Sequence, residues 1–306
     1  MNLTTEELLK IVSDWKGSYK GSAYNIREDG QCAGRESSEN IKIESKKDKP
    51  GLDIYVKPDT KDEVVYIPAC VTHSDVDDLV YNDFFIGKGA DVKIVAGCGV
   101  HTTDGHDARH NGIHRFFLEE DSKVLYEEKH IGTGTGGGKK VISPVTDADV
   151  GRNAVLTMET TQIGGVDYTD RQCRAKLADG GKLYIKEHIL TEDDQVAKTS
   201  FEVDMDGYDC GVDLISRSVA KGHSNQNYHS ILRGNNKCTG HSECDAILVD
   251  EGRVGAEPEL IAQSADAALI HEAAIGKIAG EQILKLETLG LTEKEAEDTI
   301  ISGFLK

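Results

Sequence analysis

Between Leu52 and about Ala268 the chain is a succession of short β-prone runs separated by Gly, Asp or Asn; IYV, VVYI, VKIVA, KVLYEE, NAVLTME, KLYIKEHIL, TSFEVDM, GVDLISRSV, AILVD and ELIAQ are examples. From residue 124 onward they recur every 12 to 17 residues or so, with no helix-length pattern between them. A parallel α/β sheet needs a crossover helix after each strand, so that class is excluded. Regular short strands suit either a sandwich or a repeating solenoid. So many strands favour the solenoid, in which stacked rungs bury a continuous apolar core. Charged side chains such as Lys186, Glu187, Glu202 and Asp204 are then expected to face water.

The two ends read differently. Thr4 and Glu7 form a capping box that opens a helix with Leu8, Ile11, Val12 and Trp15 on one face, ending near Gly17. Residues 18–50 are polar and linker-like, with Ile41 to Ile43 as the first short strand. At the other end, Gly280 to Leu289 reads as a helix stopped by Gly290. Thr292 and Glu295 make a second capping box, opening a helix to about Phe304. The chain thus divides into an N-terminal helix and polar arm (1–50), a β-helix core (51–268) and a C-terminal helical segment (269–306). The fold class is mainly β.

A formal charge of −19 over 306 residues excludes the Lys/Arg footprint of a nucleic-acid surface and suits cationic partners, iron included. No apolar run approaches a membrane span, and no basic-then-apolar signal opens the chain. A cytoplasmic protein with no membrane partner is expected. Seven widely spread cysteines, an odd number, do not make a secreted disulfide framework. In a reducing compartment they stay thiols, open to metal or to sulfur transfer.

Three stretches carry candidate chemistry. Cys238, His241 and Cys244 stand at C-x2-H-x2-C spacing, and His271-Glu272 follows inside AALIHEAA. Thiolate, imidazole and carboxylate together suit iron or zinc. Cys98, His101, His106 and His110 belong to the densest run of metal-capable groups, where four of eleven histidines fall within fourteen residues. A helical turn there would align His106 with His110. The glycine-rich run Ile131 to Lys140 fails as a nucleotide loop: that motif requires glycine at Thr133 and a hydroxyl at Lys140. Likewise H-E-x-x-H is broken by Ile275, which removes the second ligand of a zinc protease. No enzyme activity is expected of the chain itself.

The ECDAILVD run, the segment after it, ALIHEAA and GEQILKLETLGLTEKEAEDTIISGF resemble the C-terminal signature of the SufB/SufD family, over roughly residues 210–306. The resemblance implies a right-handed parallel β-helix and a scaffold role in iron–sulfur cluster assembly, in a compact form similar to archaeal two-component systems. It implies that Cys244, His271 and Glu272 hold a transient cluster. It also implies that the C-terminal helices, through Ile283, Leu286, Leu289 and Ile300, dock a SufC-like ABC-type ATPase. A homodimer formed around residues 246–249 and 260–262, and acceptor proteins for the finished cluster, complete the expected partners. The alternatives are a non-catalytic SufD-like structural or iron-delivery subunit and a β-solenoid hydrolase with a metal in the 101–114 loop.

Overall fold

The computed structural model describes residues 1–162 and 164–306 and shows a parallel β-solenoid of about 8 turns, with a helix before it and two after it. Each full turn gives one strand to each of two sheets. The first sheet runs, in spatial order, Gln31–Glu36, Ala23–Glu28, Lys61–Tyr66, Asp91–His101, Lys123–Thr133, Val155–Gly164, Lys182–Thr191, Cys210–Ala220, Cys238–Leu248 and Ala267–Lys277. The second runs Ile41–Ser45, Gly51–Val56, Asp77–Ile86, Ala108–Leu118, Lys140–Ile142 with Val145–Val150, Tyr168–Leu177, Val196–Met205, Asn225–Gly234 and Arg253–Ala262. In the register, Lys123 lies opposite Asp91 and Val155 opposite Lys123, a turn of 32 residues. Later turns shorten: Cys244 faces Ser216, and the Ala274 amide of the last strand donates to Asp245 Oδ1, 29 residues back. Two strands and two corners per turn account for the spacing of the runs.

The separators have a backbone reason. Asp59, Gly89, Asp121, Asn153, Gly180 and Asp209 all adopt positive φ at one corner, a region where Gly, Asp and Asn are the least strained. Their amides climb the stack: Gly89 donates to the Glu120 carbonyl, Asp121 to Arg152, Asn153 to Asp179, Gly180 to Tyr208 and Asp209 to Lys237. Side chains between corners alternate inward and outward. The inward set, including Ile54, Phe84, Phe116, Leu156, Leu183, Phe201 and Val212, forms one continuous core. Burying each such side chain contributes about 1.5–3 kcal/mol. Alternation also corrects one expectation: Lys186 and Glu187 cannot both face water, and Glu187 is the buried one.

The N-terminal region departs from its reading as helix plus linker. Helix α1 (Leu3–Val12) is capped by Asn2, whose Oδ1 accepts the Thr5 amide at 2.8 Å, so the Thr4 box does not form. Leu8, Leu9 and Val12 are buried while Ile11 is exposed, and Trp15 lies beyond the helix, edge-on to Tyr19. α1 lies over Gly97 and Gly99, where a Cβ would come within 2.3 Å of the Val12 carbonyl and 3.0 Å of Leu8. The polar arm holds three strands. Ala23–Glu28 and Gln31–Glu36 pair antiparallel across Asp29-Gly30, both at positive φ, a two-residue hairpin turn. Ile41–Ser45 is therefore the third strand, not the first.

At the other end the last strand extends to Lys277, past the expected boundary at 268. Helix α2 (Gly280–Thr288) ends in a Schellman motif: Leu291 donates to the Leu286 carbonyl and Gly290, at positive φ, to Glu287. Helix α3 (Glu293–Phe304) opens with the Thr292–Glu295 capping box. Ile301 of α3 packs on Val219 and Val249, whereas α2 buries none of its residues. Among the described residues no helix is long and apolar enough to cross a membrane.

Candidate functional site

The strand Cys238–Leu248 decides how the first constellation is arranged. Residues an odd number apart on a strand point to opposite faces. Cys238 and Cys244 therefore enter the core while His241, between them, lies half-buried on the outer face. The two cysteines are also six residues apart, about 20 Å along the strand. So C-x2-H-x2-C does not gather into one metal site; the spacing suits a turn or a loop, not a strand. In the last strand, Ser242 is paired with His271, Glu243 with Glu272, and Cys244 with Ala273. His271 thus shares the inner face with Cys244, one strand away and displaced by two residues, and Glu272 belongs to the outer face with Glu243. Burial pushes the Cys244 thiol up to about 12, so at neutral pH it is protonated. His271 Nδ1 is buried and has no hydrogen-bond partner. A thiol and an unpaired imidazole nitrogen suit iron or zinc, but Glu272 cannot complete their shell from within the same chain.

The residues of the second constellation separate as well. Cys98 is buried and points inward, which the flanking glycines permit by leaving room outside for α1. His101 Nδ1 lies 2.8 Å from the Thr133 hydroxyl. His106 is in an exposed turn 3.3 Å from Asp75. His110 is buried in the strand Ala108–Leu118, its Nδ1 3.0 Å from Asp78, which Arg27 also binds. Burial works to raise the Asp78 carboxyl, and His110 and Arg27 overcome it to hold Asp78 well below the usual range. No helical turn forms at 106–110, so His106 and His110 do not align. The Gly-rich run instead stacks on this loop: Gly136 and Gly138 donate to Thr102 and Asp104, and a Cβ on Gly138 would come within 1.8 Å of the His106 carbonyl.

Cys98 has other company. Its thiol, Glu128 and His130 bring ligand atoms within 4.8 Å of one another deep in the core. From there a buried polar column follows the solenoid axis. His114 Nδ1 is 2.7 Å from the Tyr126 hydroxyl, which donates to Glu128 at 2.9 Å. Arg171 donates to the other Glu128 oxygen at 2.9 Å, and its Nε lies 3.5 Å from Glu187. Thr199 and Ser216 donate to Glu187 at 3.1 and 2.9 Å, and Ser216 is the register neighbour of Cys244. Burial opposes ionisation of Glu128, yet His130 and Arg171 hold its carboxyl well below the ordinary range. Burial first, then the neighbouring His110, His130 and Arg171, lower His114 to about 4 against the opposing pull of Glu128. Ionised groups in a core are costly, and apolar replacements of the same shape are often as stable. The column thus joins the surroundings of the two thiols, five rungs or about 24 Å apart.

Sequence reasoning missed Glu128, His130, Arg171, Glu187 and Glu243. Part of the signal was present: Val124, Tyr126, Glu128 and His130 alternate along one strand, and the apolar member marks that face as inward.

Residues 81–304 match the family model of the SUF system FeS cluster assembly SufBD core domain. The chain belongs to the SufBD family. It is similar to an iron–sulfur cluster assembly SufBD family protein of Methanothermobacter thermautotrophicus, at 27% identity over 83% of this chain and 62% of that protein. A homologous SufBD protein from another strain of that organism is 28% identical, over 79% of this chain and 59% of its own length. A third, from Archaeoglobus fulgidus, is 26% identical over 89% of this chain and 72% of that protein. The chain thus spans about three fifths of the two Methanothermobacter SufBD proteins.

Proposed function

We propose that this SufBD chain is an assembly scaffold on which an iron–sulfur cluster is built and released, with the cluster as cargo rather than resident cofactor. The observation that carries the reading is the buried, unpartnered Nδ1 of His271, one strand from Cys244 on the last rung of the solenoid. An unsatisfied buried nitrogen costs about 1–3 kcal/mol, which a ligand would recover. One thiol and one imidazole are a sparse set beside the four cysteines of a stable cluster, and sparse ligation suits release. A second copy completes the set. The strands Ala267–Lys277 and Arg253–Ala262 are the edges of the two sheets at the C-terminal end of the solenoid, and such edges are templates for another chain. Residues 246–248, expected to be left for that copy, are instead paired on both sides, and Val249 is covered by α3.

The ATPase step is assigned to a cytoplasmic SufC-like partner docked on α2, and the product passes to acceptor proteins. Among the residues expected at that surface, Leu289 is 74% exposed, whereas Ile283, Leu286 and Ile300 are half-buried; Leu284, at 61%, joins Leu289 on the open side.

Anaerobic reconstitution with ferrous iron and sulfide tests the scaffold. Wild type acquires iron, acid-labile sulfide and visible absorption; Cys244→Ser and His271→Ala lose most of all three while keeping the β-type circular dichroism. Equal loading of all three proteins sinks the proposal. The protonated, inward-facing Cys244 favours a second reading, a SufD-like subunit that positions its partners, and such a subunit would load nothing even as wild type.

A further inference from the structure

On the outer face of the same two strands, a second set of donors is separated from Cys244 by the sheet itself. His241, Glu243 and Glu272 place one ligand atom each within 4.8 Å of one another. The fold dictates this: His241 and Glu243 are two apart on one strand, hence on one face, and Glu272 is the register partner of Glu243. Asp213, one rung back and paired with His241, lies 2.7 Å from its Nδ1. A carboxylate holding one ring nitrogen fixes the imidazole and leaves Nε2 for an ion.

The charge pattern makes the set more than a solvated patch. Elsewhere the outer faces interleave opposite charges from rung to rung: Lys93 with Glu127, Arg115 with Asp83, Arg174 with Asp147, and Arg233 with Glu202. Glu243 and Glu272 are carboxylates directly opposed across two strands, an arrangement that destabilises a sheet. Carboxylates also stand opposed at Asp53–Asp83 and Glu127–Glu159, but there Lys46, Lys93 and Lys186 pair with them, whereas Glu243 and Glu272 have no such lysine. Among the described residues neither makes a salt bridge; Asp245 adds a third carboxylate along the same face, and Arg217, the register partner of Asp245, is the cation with the most influence on Glu243. A bound cation would turn this repulsion into cohesion.

We propose that His241, Glu243 and Glu272 form a divalent transition-metal site on the outer face, separate from the Cys244–His271 site inside and positioned by Asp213. One imidazole with two carboxylates and open positions suits Fe(II), Mn(II) or Zn(II), whereas Ca(II) and Mg(II) prefer all-oxygen shells. Ligand distances of about 2.0–2.2 Å close the present spread with small side-chain rotations. Resting on the scaffold reading, the site takes the iron before cluster assembly, and Glu272 belongs to this loading site, not to the thiol's shell. The ion binds by displacing water and any carboxyl proton, with no change of oxidation state.

Anaerobic titration of metal-free protein with Co(II) tests this, followed by calorimetry and by the visible ligand-field bands. In the Cys244→Ser background one ion per chain binds with no thiolate charge-transfer band. Glu243→Gln and His241→Ala in that background weaken binding at least tenfold, and Asp213→Asn weakens it less. Glu243→Gln removes a like-charge contact, so its metal-free melting point is no lower than wild type's, which keeps misfolding from imitating the loss. Undiminished Co(II) affinity in Glu243→Gln, or loss of binding in Cys244→Ser alone, overturns the proposal. Neither result depends on whether a cluster forms, so the scaffold reading stands or falls separately.

Discussion

Cys244 and Arg171 show what single residues contribute. With its thiol pushed to about 12 by burial, Cys244 is almost wholly protonated at pH 7, and its thiolate fraction rises tenfold per pH unit until that value is reached. Iodoacetamide should therefore label exposed Cys32 first, with Cys244 following slowly and accelerating with pH in peptide mass spectra. Labelling of Cys244 as fast as Cys32 at pH 7 contradicts its inward placement. Arg171 sits between Glu128 and Glu187, all three buried. Arg171→Met strands two carboxylates in the core and should cost about 3–5 kcal/mol, read as a lower denaturant midpoint. A loss under 1 kcal/mol would mean that water reaches the column.

At the scale of elements, stacking explains both what the sequence disclosed and what it hid. The runs, their spacing and the Gly, Asp and Asn corners were legible because every rung repeats the same demand: a period-2 strand, then a positive-φ corner. Helices α2 and α3 were legible through Gly290 and the Thr292–Glu295 box. The arm was not, because Ala23–Glu28 and Gln31–Glu36 carry few apolar residues and pair locally through Asp29-Gly30. The inner polar column was hidden for a different reason: Glu128, Arg171 and Glu187 find their partners on other strands, 12 to 43 residues away, and a charge in isolation reads as solvated. C-x2-H-x2-C resembles a metal site by spacing alone; the strand splits it, with both cysteines inside and His241 outside. Two element-level predictions follow from packing. Gly138→Val drives a side chain into the His106 backbone, so it should lower the melting temperature, whereas Gly137→Ala, with open space around its Cβ position, should leave it near wild type. Equal melting of the two variants contradicts the stacked loops. Leu284→Asp with Leu289→Asp should abolish co-purification of a SufC-like ATPase and leave the circular dichroism β-type; retained co-purification would place the partner elsewhere.

For the whole molecule, the solenoid is closed unequally. α1 lies against the outside of the early rungs and α3 against a late flank, while at the C-terminal end both sheets finish in strands paired on one side only, beside Cys244 and His271. This coincidence of open edge and sparse donors is the reason for placing the assembly site between two copies. The measurement that tests it most directly is multi-angle light scattering of the reconstituted protein on an anaerobic size-exclusion column, with iron and sulfide determined across the peak. Both should elute with a species of twice the 33.3 kDa chain, and charge placed on the terminal edge, as in Ile270→Lys, should yield cluster-free monomer. A 33.3 kDa monomer carrying the full complement of iron and sulfide would show that one chain builds the site alone, and would contradict the account.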